Sequence, residues 1–307
     1  MTQGILTDID RFSTHDGPGI RTVIFFQGCP LRCAWCHSPE TQPPLPVPVY
    51  RSARCIGCLS CTHVCPPHAV QPSAAPQGSE TPPIHIDPGL CTRCLRCTQT
   101  CPSGALAPSG RWRNLEEIQS ILSQDEPFYR NSGGGVTLSG GEILMQTDFA
   151  EAILLECRSR GIHTAIETCG YGSASDLLRL AALSDLIYYD VKLLDPEKHR
   201  RYTGADNRLI LQNLERLARS RRDIVIRIPC IPGINDSPEE IRSTAAWVKS
   251  IGLSLLELLP YNGAAPAKYE WVFRDYSLPN AKEQDKSHYE ALRKIVRGQG
   301  LDAPHLS

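Results

Sequence analysis

The side chains best suited to chemistry are thiols, and most of them lie in the first third of the chain. Eleven of the 14 cysteines precede residue 102, in three tight groups: Cys29, Cys33 and Cys36; Cys55, Cys58, Cys61 and Cys65; Cys91, Cys94, Cys97 and Cys101. In a chain of 307 residues with no apolar leader pattern, such grouping points to thiolate ligation of metal rather than to a disulfide framework. The first group, in "GCPLRCAWCHSPE", has the spacing C-x3-C-x2-C and no fourth cysteine nearby. Three thiolates would hold a centre and leave one position open. Cys157, Cys169 and Cys230 stand apart and read as small buried hydrophobes, in preference to a ligand or redox role for Cys169.

The other two groups repeat one pattern, "CIGCLSCTHVCP" and "CTRCLRCTQTCP", each C-x2-C-x2-C-x3-C-P. This is the bacterial ferredoxin run, in which the fourth cysteine of each run ligates the other cluster. The expected ligand sets are Cys55, Cys58, Cys61 and Cys101 for one [4Fe-4S] cluster and Cys91, Cys94, Cys97 and Cys65 for a second. Zinc is the weaker alternative, because tetrahedral sites usually draw on two cysteine pairs and do not explain the doubled triplets. Between the runs, a Pro- and Ser-rich stretch reads as a loop with one short strand at "PIHI". Residues 51–107 thus form an insert held together by metal more than by apolar burial, dividing the chain into 1–50, 51–107 and 108–307.

Elsewhere strand and helix patterns alternate. "RTVIFFQG", "GVTLS", "HTAIET", "DLIYYDV", "DIVIRIP" and "LSLLELLP" read as strands. Helices follow at "NLEEIQSILSQD", with a capping-box start at Asn114 and Glu117, at "TDFAEAILLECRSRG", "SASDLLRLAAL", 206–220, "SPEEIRSTAAWVKSIG" and "EQDKSHYEALRKIVRGQG". Six β/α units predict an α/β fold with a parallel sheet, an open partial TIM-like barrel, with a flat doubly wound sheet as the alternative. The 41% hydrophobic content suits a sizeable soluble core, the formal net charge of -1 gives no field for nucleic acid or membrane, and no run of about 18 apolar residues occurs. A cytoplasmic protein is expected.

Each predicted strand delivers unusual residues at its C-terminal end, the rim where parallel α/β folds bind ligands. Cys29 follows the first; "SGGE" (139–142) follows the second; Glu167 ends the third. Asp190 and Lys192 close the fourth, Arg227 and "IPGIN" the fifth, and Pro260, Tyr261 and Asn262 the sixth. Six motifs therefore converge on one mouth.

With C-x3-C-x2-C and "SGGE" in place, the sequence resembles the radical S-adenosylmethionine (SAM) superfamily. More narrowly, "FSTHDGPGIRTVIFFQGCPLRCAWCHSPE", "GGGVTLSGGE", "ETCG", "YYDVK", "IRIPCIPGIN" and "LLPYN" resemble the glycyl-radical-enzyme activating enzymes, relatives of pyruvate formate-lyase activating enzyme, along nearly the whole chain. The ferredoxin insert is typical of the larger members. The resemblance implies a third [4Fe-4S] cluster on Cys29, Cys33 and Cys36, with SAM chelating its open iron. It implies reductive cleavage of SAM to a 5′-deoxyadenosyl radical, and hydrogen abstraction from a glycine of a partner glycyl radical enzyme. An open iron site makes oxygen sensitivity, and so anaerobic chemistry, an expectation.

By residue, the resemblance places Gly140, Gly141, Glu142, Lys192 and Arg227 around SAM, with Glu142 as acceptor for its amine. Glu167, Thr168 and Asp190 lie near its carboxylate, where relatives hold a monovalent cation. Asn262 would bond a ribose or adenine edge, and Asp16 would meet the partner's glycine loop. Trp35 and His37, which flank Cys36, read either as a shield for the cluster or a contact to adenine, or as simple packing. Glu167 and Asn262 stand where the best-known relative has Asp and His. Reduced flavodoxin or ferredoxin is the expected electron donor, to a monomer. Two other readings compete: a radical SAM enzyme acting on a small molecule or another protein residue, and a ferredoxin-like electron carrier.

Overall fold

The computed structural model describes residues 2–73, 83–221 and 223–304. The chain opens with an antiparallel pair, β1 (Gln3–Ser13) and β2 (Arg21–Phe26). A short strand, β3 (Pro48–Tyr50), leads into the cysteine-rich insert, which holds α1 (Ser60–His63), β4 (Val70–Pro72), β5 (Ile84–Ile86) and α2 (Arg96–Gln99) and returns as β6 (Leu106–Pro108). Then come β7 (Arg111–Asn114), α3 (Leu115–Ser132), β8 (Gly135–Gly140), α4 (Thr147–Ser159), β9 (His163–Thr168), α5 (Ala174–Ala181) and β10 (Leu186–Asp190). The remaining elements are α6 (Pro196–Thr203), α7 (Arg208–Ser220), β11 (Ile224–Pro229), α8 (Pro238–Ser250), β12 (Leu255–Leu259), α9 (Ala265–Trp271) and α10 (Lys286–Gly298).

The main sheet runs β12-β11-β10-β9-β8-β2-β1-β7. The six anticipated strands, β2 and β8 to β12, are parallel and lie side by side in chain order. That order never reverses, as a doubly wound sheet's does. β1 and β7 were not anticipated; they extend the sheet antiparallel beyond β2. β1 buries only Gly4, Ile5 and Leu6 and then alternates between half-buried and exposed side chains, while β7, "RWRN", is an exposed edge. Neither gives an apolar run. α6 and α9 also go beyond the sequence expectation, because α6 is a polar helix, "PEKHRRYT", and α9 is short. Asn114 and Glu117 form the expected capping box, though α3 continues through Pro127 to Ser132.

Along each strand the side chains alternate between two faces. One face joins the helices in a single apolar core that includes Ile24, Leu138, Ile166, Ile187, Ile226 and Leu256. Ala165, Tyr188 and Val225 form a small cluster on the other face. Arg21, Thr137, Ser139, Glu167, Asp190, Arg227 and Glu257 follow the same alternation, so that face is lined with polar groups. Arg21, fully buried, donates through Nε to Thr137 Oγ1 at 2.6 Å and through Nη2 to the Val136 carbonyl at 2.6 Å.

β3 and β6 pair antiparallel at the base of the insert, with Val49 opposite Ala107. Above that stem β4 pairs with β5, the strand expected at "PIHI". Most of the Pro/Ser-rich loop before it, 74–82, lies outside the described residues. The two cysteine runs fold alike: α1 and α2 each begin after a leucine with positive φ, Leu59 at 55° and Leu95 at 60°. Among the described residues, no helix is long and apolar enough to cross a membrane.

Candidate active site

The loop after β2 gathers the Cys29, Cys33 and Cys36 thiols within electrostatic reach of one another. Backbone bonds hold it from two sides. Gly28 N–H donates to the Thr41 carbonyl at 2.7 Å and Cys29 N–H to Gln42 at 3.1 Å, while Arg32 and Ala34 N–H donate to Thr203 and Tyr202 at the end of α6, at 2.7 and 2.8 Å. Burial pushes the thiols of Cys29 and Cys33 up to about 12 and raises that of Cys36. At neutral pH such thiols keep their protons unless a metal replaces them. All 14 cysteines are free.

The thiols open onto a cavity of about 300 Å³. Its lining brings together Cys29, Cys33, Trp35, Cys36, His37, Gly140, Gly141, Glu167, Thr168, Asp190, Lys192 and Asn262, all expected from sequence. Leu31, Ser139, Cys169, Pro229, Ile231, Leu259, Pro260 and Tyr261 complete it. Trp35 packs with Leu193, Ile231 and Tyr261.

Three expected residues do not line the cavity. Glu142 is 1% exposed, and its carboxylate accepts from Thr168 Oγ1 at 2.6 Å, Cys169 N and Sγ at 2.8 and 2.9 Å, and Leu144 N at 3.2 Å. Burial pushes its carboxyl up against those bonds. Arg227 lies beneath, paired with Glu167 on one side and Glu257 on the other. Asp16 precedes β2, at the opposite end of the sheet from the thiols; its carbonyl accepts from Thr137 Oγ1 at 2.7 Å, and its carboxylate lies within electrostatic reach of Glu167.

The glycines of "SGGE" have a structural duty. Gly140 has φ of +113°, and a Cβ there would overlap the backbone N and O of Phe26; one on Gly141 would overlap the Gly28 carbonyl and come to 3.3 Å from Cys29 Cβ. Only bare backbone lets β8 pass this close to the cysteine loop.

At the rim of β10, Lys192 Nζ donates to Asp190 Oδ2 at 2.8 Å. Burial works against its charge, but Asp190, with Cys33 and Cys169 near, holds the ammonium above the ordinary lysine range. Asn235, in the "IPGIN" turn, fixes this rim: Nδ2 donates to the Lys192 and Pro229 carbonyls, both at 2.8 Å, and Oδ1 accepts from Ile231 N at 2.6 Å. Its positioning role had only the turn motif to announce it. The expected monovalent cation finds no support, because Glu167 and Asp190 each already face a cationic side chain. Among the described residues no group of three or more His, Cys, Asp or Glu is arranged to hold a single metal ion.

In the insert, Cys61 lies within electrostatic reach of Cys101, Cys55 and Cys58, and Cys97 of Cys91, Cys65, Cys61 and Cys94. The fourth cysteine of each run therefore sits with the other run's triplet. Cys55, Cys61, Cys65, Cys91, Cys97 and Cys101 all share one apolar cluster with Tyr50, Val70, Ile84 and Leu106.

Residues 91–247 match the radical SAM superfamily, 54–105 the 4Fe-4S dicluster domain, and 15–70 the 4Fe-4S single cluster domain. The chain is 43% identical over 306 residues to the isethionate sulfite-lyase activating enzyme of Oleidesulfovibrio alaskensis, covering 97% of this chain and 96% of that one. It is 36% identical over 301 residues to the trans-4-hydroxy-L-proline dehydratase activating enzyme of Clostridioides difficile, covering 97% of each. A solved radical SAM methyltransferase from Sphaerobacter thermophilus shares the fold, with a TM-score of 0.50 at 15% identity over 63% of this chain and 57% of that one.

Proposed function

Since this chain belongs to the radical SAM superfamily, and within it to the activating enzymes of glycyl radical enzymes, we propose that the cavity above Cys29, Cys33 and Cys36 is where it installs a glycyl radical on a partner enzyme. The observation that carries this is the convergence of three half-buried thiols with the rim residues of every parallel strand on one cavity. When bound, an iron–sulfur cluster on these thiols would supply one electron to the SAM sulfonium, so that the S–C5′ bond breaks to methionine and a 5′-deoxyadenosyl radical, which would take a hydrogen atom from a glycine of the partner to give 5′-deoxyadenosine and the glycyl radical.

The chain's own residues prepare that event. Lys192, charged and nearly buried, offers a point charge to the SAM carboxylate. The backbone of Gly140 and Gly141 brings the β8 rim against the cluster loop. Glu142 acts from behind it, holding Thr168 and Cys169 in place. Trp35, His37 and Asn262 shape the far wall for adenosine, and Arg227 fixes Glu167 from below. Asp16 lies deeper on the same face, towards which a glycine loop would reach.

The sequential strand order supports a partial barrel curving around the polar face. The crossed cysteine sets support two further [4Fe-4S] clusters in the insert, making three in all, and the β3/β6 stem supports its bounds at 51 and 107. We assign the insert to electron delivery from reduced flavodoxin or ferredoxin. We assign a monomer, and the many thiols suit the reducing cytoplasm. The test is anaerobic reconstitution with iron and sulfide, then dithionite and SAM, scoring 5′-deoxyadenosine with a Cys33→Ala control, followed by a glycyl EPR doublet on candidate partners. Iron loading without SAM cleavage, with or without those partners, would refute the reading.

A further inference from the structure

Two buried phenol hydroxyls have no hydrogen-bond partner among the described residues, and each faces a different cysteine set. Tyr50 and Tyr269 are both 2% exposed, and both hydroxyl oxygens are unpaired. The Tyr50 hydroxyl lies beside the Cys55 thiol with Cys61 in reach, without a bond of proper geometry to either. The Tyr269 hydroxyl lies near Cys36 and Cys33; the Cys36 backbone N–H faces its oxygen, but its own proton has no acceptor among the described residues. Burying a hydroxyl unpaired is costly, so native structures almost always supply an acceptor. The acceptor that belongs in both places is sulfur of a bound cluster, whose sulfides and cysteinates accept and cannot donate.

The two tyrosines are also joined. The Phe273 ring stacks on Tyr50 with centroids 5.7 Å apart and planes 6° from parallel, and meets His85 edge-on at 5.5 Å. Phe273 has φ of +54° at the end of α9, whose last turn begins at Tyr269. Arg274 N–H donates to the Tyr269 carbonyl at 3.1 Å and Phe273 N–H to Glu270 at 3.2 Å, the paired closure that normally puts glycine at the left-handed position. A bulky residue held there is a strained choice. Its ring on Tyr50 makes α9 a bracket, with one tyrosine at the open three-cysteine loop and a clamp on the other at the insert.

We propose that Tyr50 donates an O–H···S hydrogen bond to the cluster of Cys55, Cys58, Cys61 and Cys101, that Tyr269 does so to the cluster of Cys29, Cys33 and Cys36, and that the two bonds raise the reduction potentials of those clusters. The inference rests on the cluster assignment above. Reduction adds negative charge to a cluster, and a donor to its sulfur stabilises the more negative state. Both tyrosines are positioning and tuning residues; neither takes part in bond making.

The test uses the fully loaded protein as wild type, Tyr50→Phe and Tyr269→Phe, with dithionite titrations followed by EPR and the SAM-dependent spectrum identifying the open cluster. Each variant should retain wild-type iron and sulfide. Tyr269→Phe should lower only the SAM-responsive potential and Tyr50→Phe only one insert potential. A roughly tenfold loss of reduced cluster at fixed ambient potential, about 59 mV for a one-electron couple, is the expected size. Unmoved potentials on intact clusters would overturn this inference and leave the function standing, as would clusters lost from the phenylalanine variants. A wild type that loads no cluster in the insert or on the open loop would overturn both.

Discussion

Arg227 and Glu167, 60 positions apart in the chain, are paired beneath the cavity, and Glu257 takes the other side of the same guanidinium at 2.8 Å. The guanidinium also lies 3.5 Å from the centroid of the Tyr188 ring. Burial pushes the Glu167 carboxyl up, and Arg227 pulls it back. Arg227→Met would strand the buried Glu257 carboxylate and the half-buried Glu167 carboxylate. We expect a loss of about 3–5 kcal/mol in anaerobic denaturant melts, and a smaller loss when Glu257→Gln accompanies it. Equal stability of the single variant and wild type would show that the pair carries no structural weight.

Gly141→Ala tests the close approach of β8 to the cysteine loop. The added methyl has nowhere to go but into the Gly28 carbonyl. The expected protein keeps its insert iron and loses the SAM-dependent EPR change. Normal SAM response in this variant would mean the loop yields easily.

Asn235→Ala removes the side chain that satisfies the Lys192 and Pro229 carbonyls and the Ile231 N–H. Each buried backbone group left unpaired costs about 1–3 kcal/mol. Lower thermal stability should therefore come with a higher KM for SAM, because Lys192 loses its anchor. A shifted Tm with unchanged KM would separate the two roles.

His199 sets an acid limit. Its Nδ1 lies 2.6 Å from the Ala205 carbonyl, which can only accept, so Nδ1 carries the proton. Nε2 is buried without a partner among the described residues. Burial lowers the pKa from its ordinary 6.5, and nearby Lys192 acts in the same direction, against the Ala205 bond. Below pH 6.5 the unfolded chain takes up a proton that the folded chain refuses, so stability is full above that value and falls as pH drops towards the depressed folded value. Denaturant midpoints at pH 7.5 and 5.5 should converge in His199→Gln; the same acid loss in both proteins would remove His199 from the account.

The six parallel strands and the motifs that end them were legible because each strand is a short apolar run ending in a distinctive motif, while their order was settled only by the pairing of the strands. The cysteine groups were legible because ligand spacing is a covalent constraint. β1 and β7 were hidden, since a strand at or near the edge with one open face carries polar side chains and leaves no apolar run. α6 had legible punctuation: Asp195 accepts from Glu197 and Lys198 N–H, Pro196 follows, and Gly204 closes it at φ 84°. Its polar body outweighed those signals, although its last carbonyls hold the Cys33 loop. Glu142 shows the limit of motif reasoning, because residue type announced a carboxylate at the rim while only packing decided that it turns inward. Tyr269 and Phe273 had no spacing rule to mark them, being brought to the cysteines by a helix that follows the last strand.

The pairing of Val49 with Ala107 joins the two ends of the insert across one ladder rung. Neighbouring strands stand about 4.8 Å apart, so the chain leaves the catalytic body and returns to it at almost the same point. Nothing in the path of the surrounding strands depends on what happens between. Such a junction behaves as a socket: a module of any length can be plugged in or withdrawn and the gap sealed with a tight turn. Here the module is also latched from a distance, because Phe273, more than 160 residues beyond the socket, closes on Tyr50 at its edge. Exchange of the insert for another would have to carry its own side of that latch.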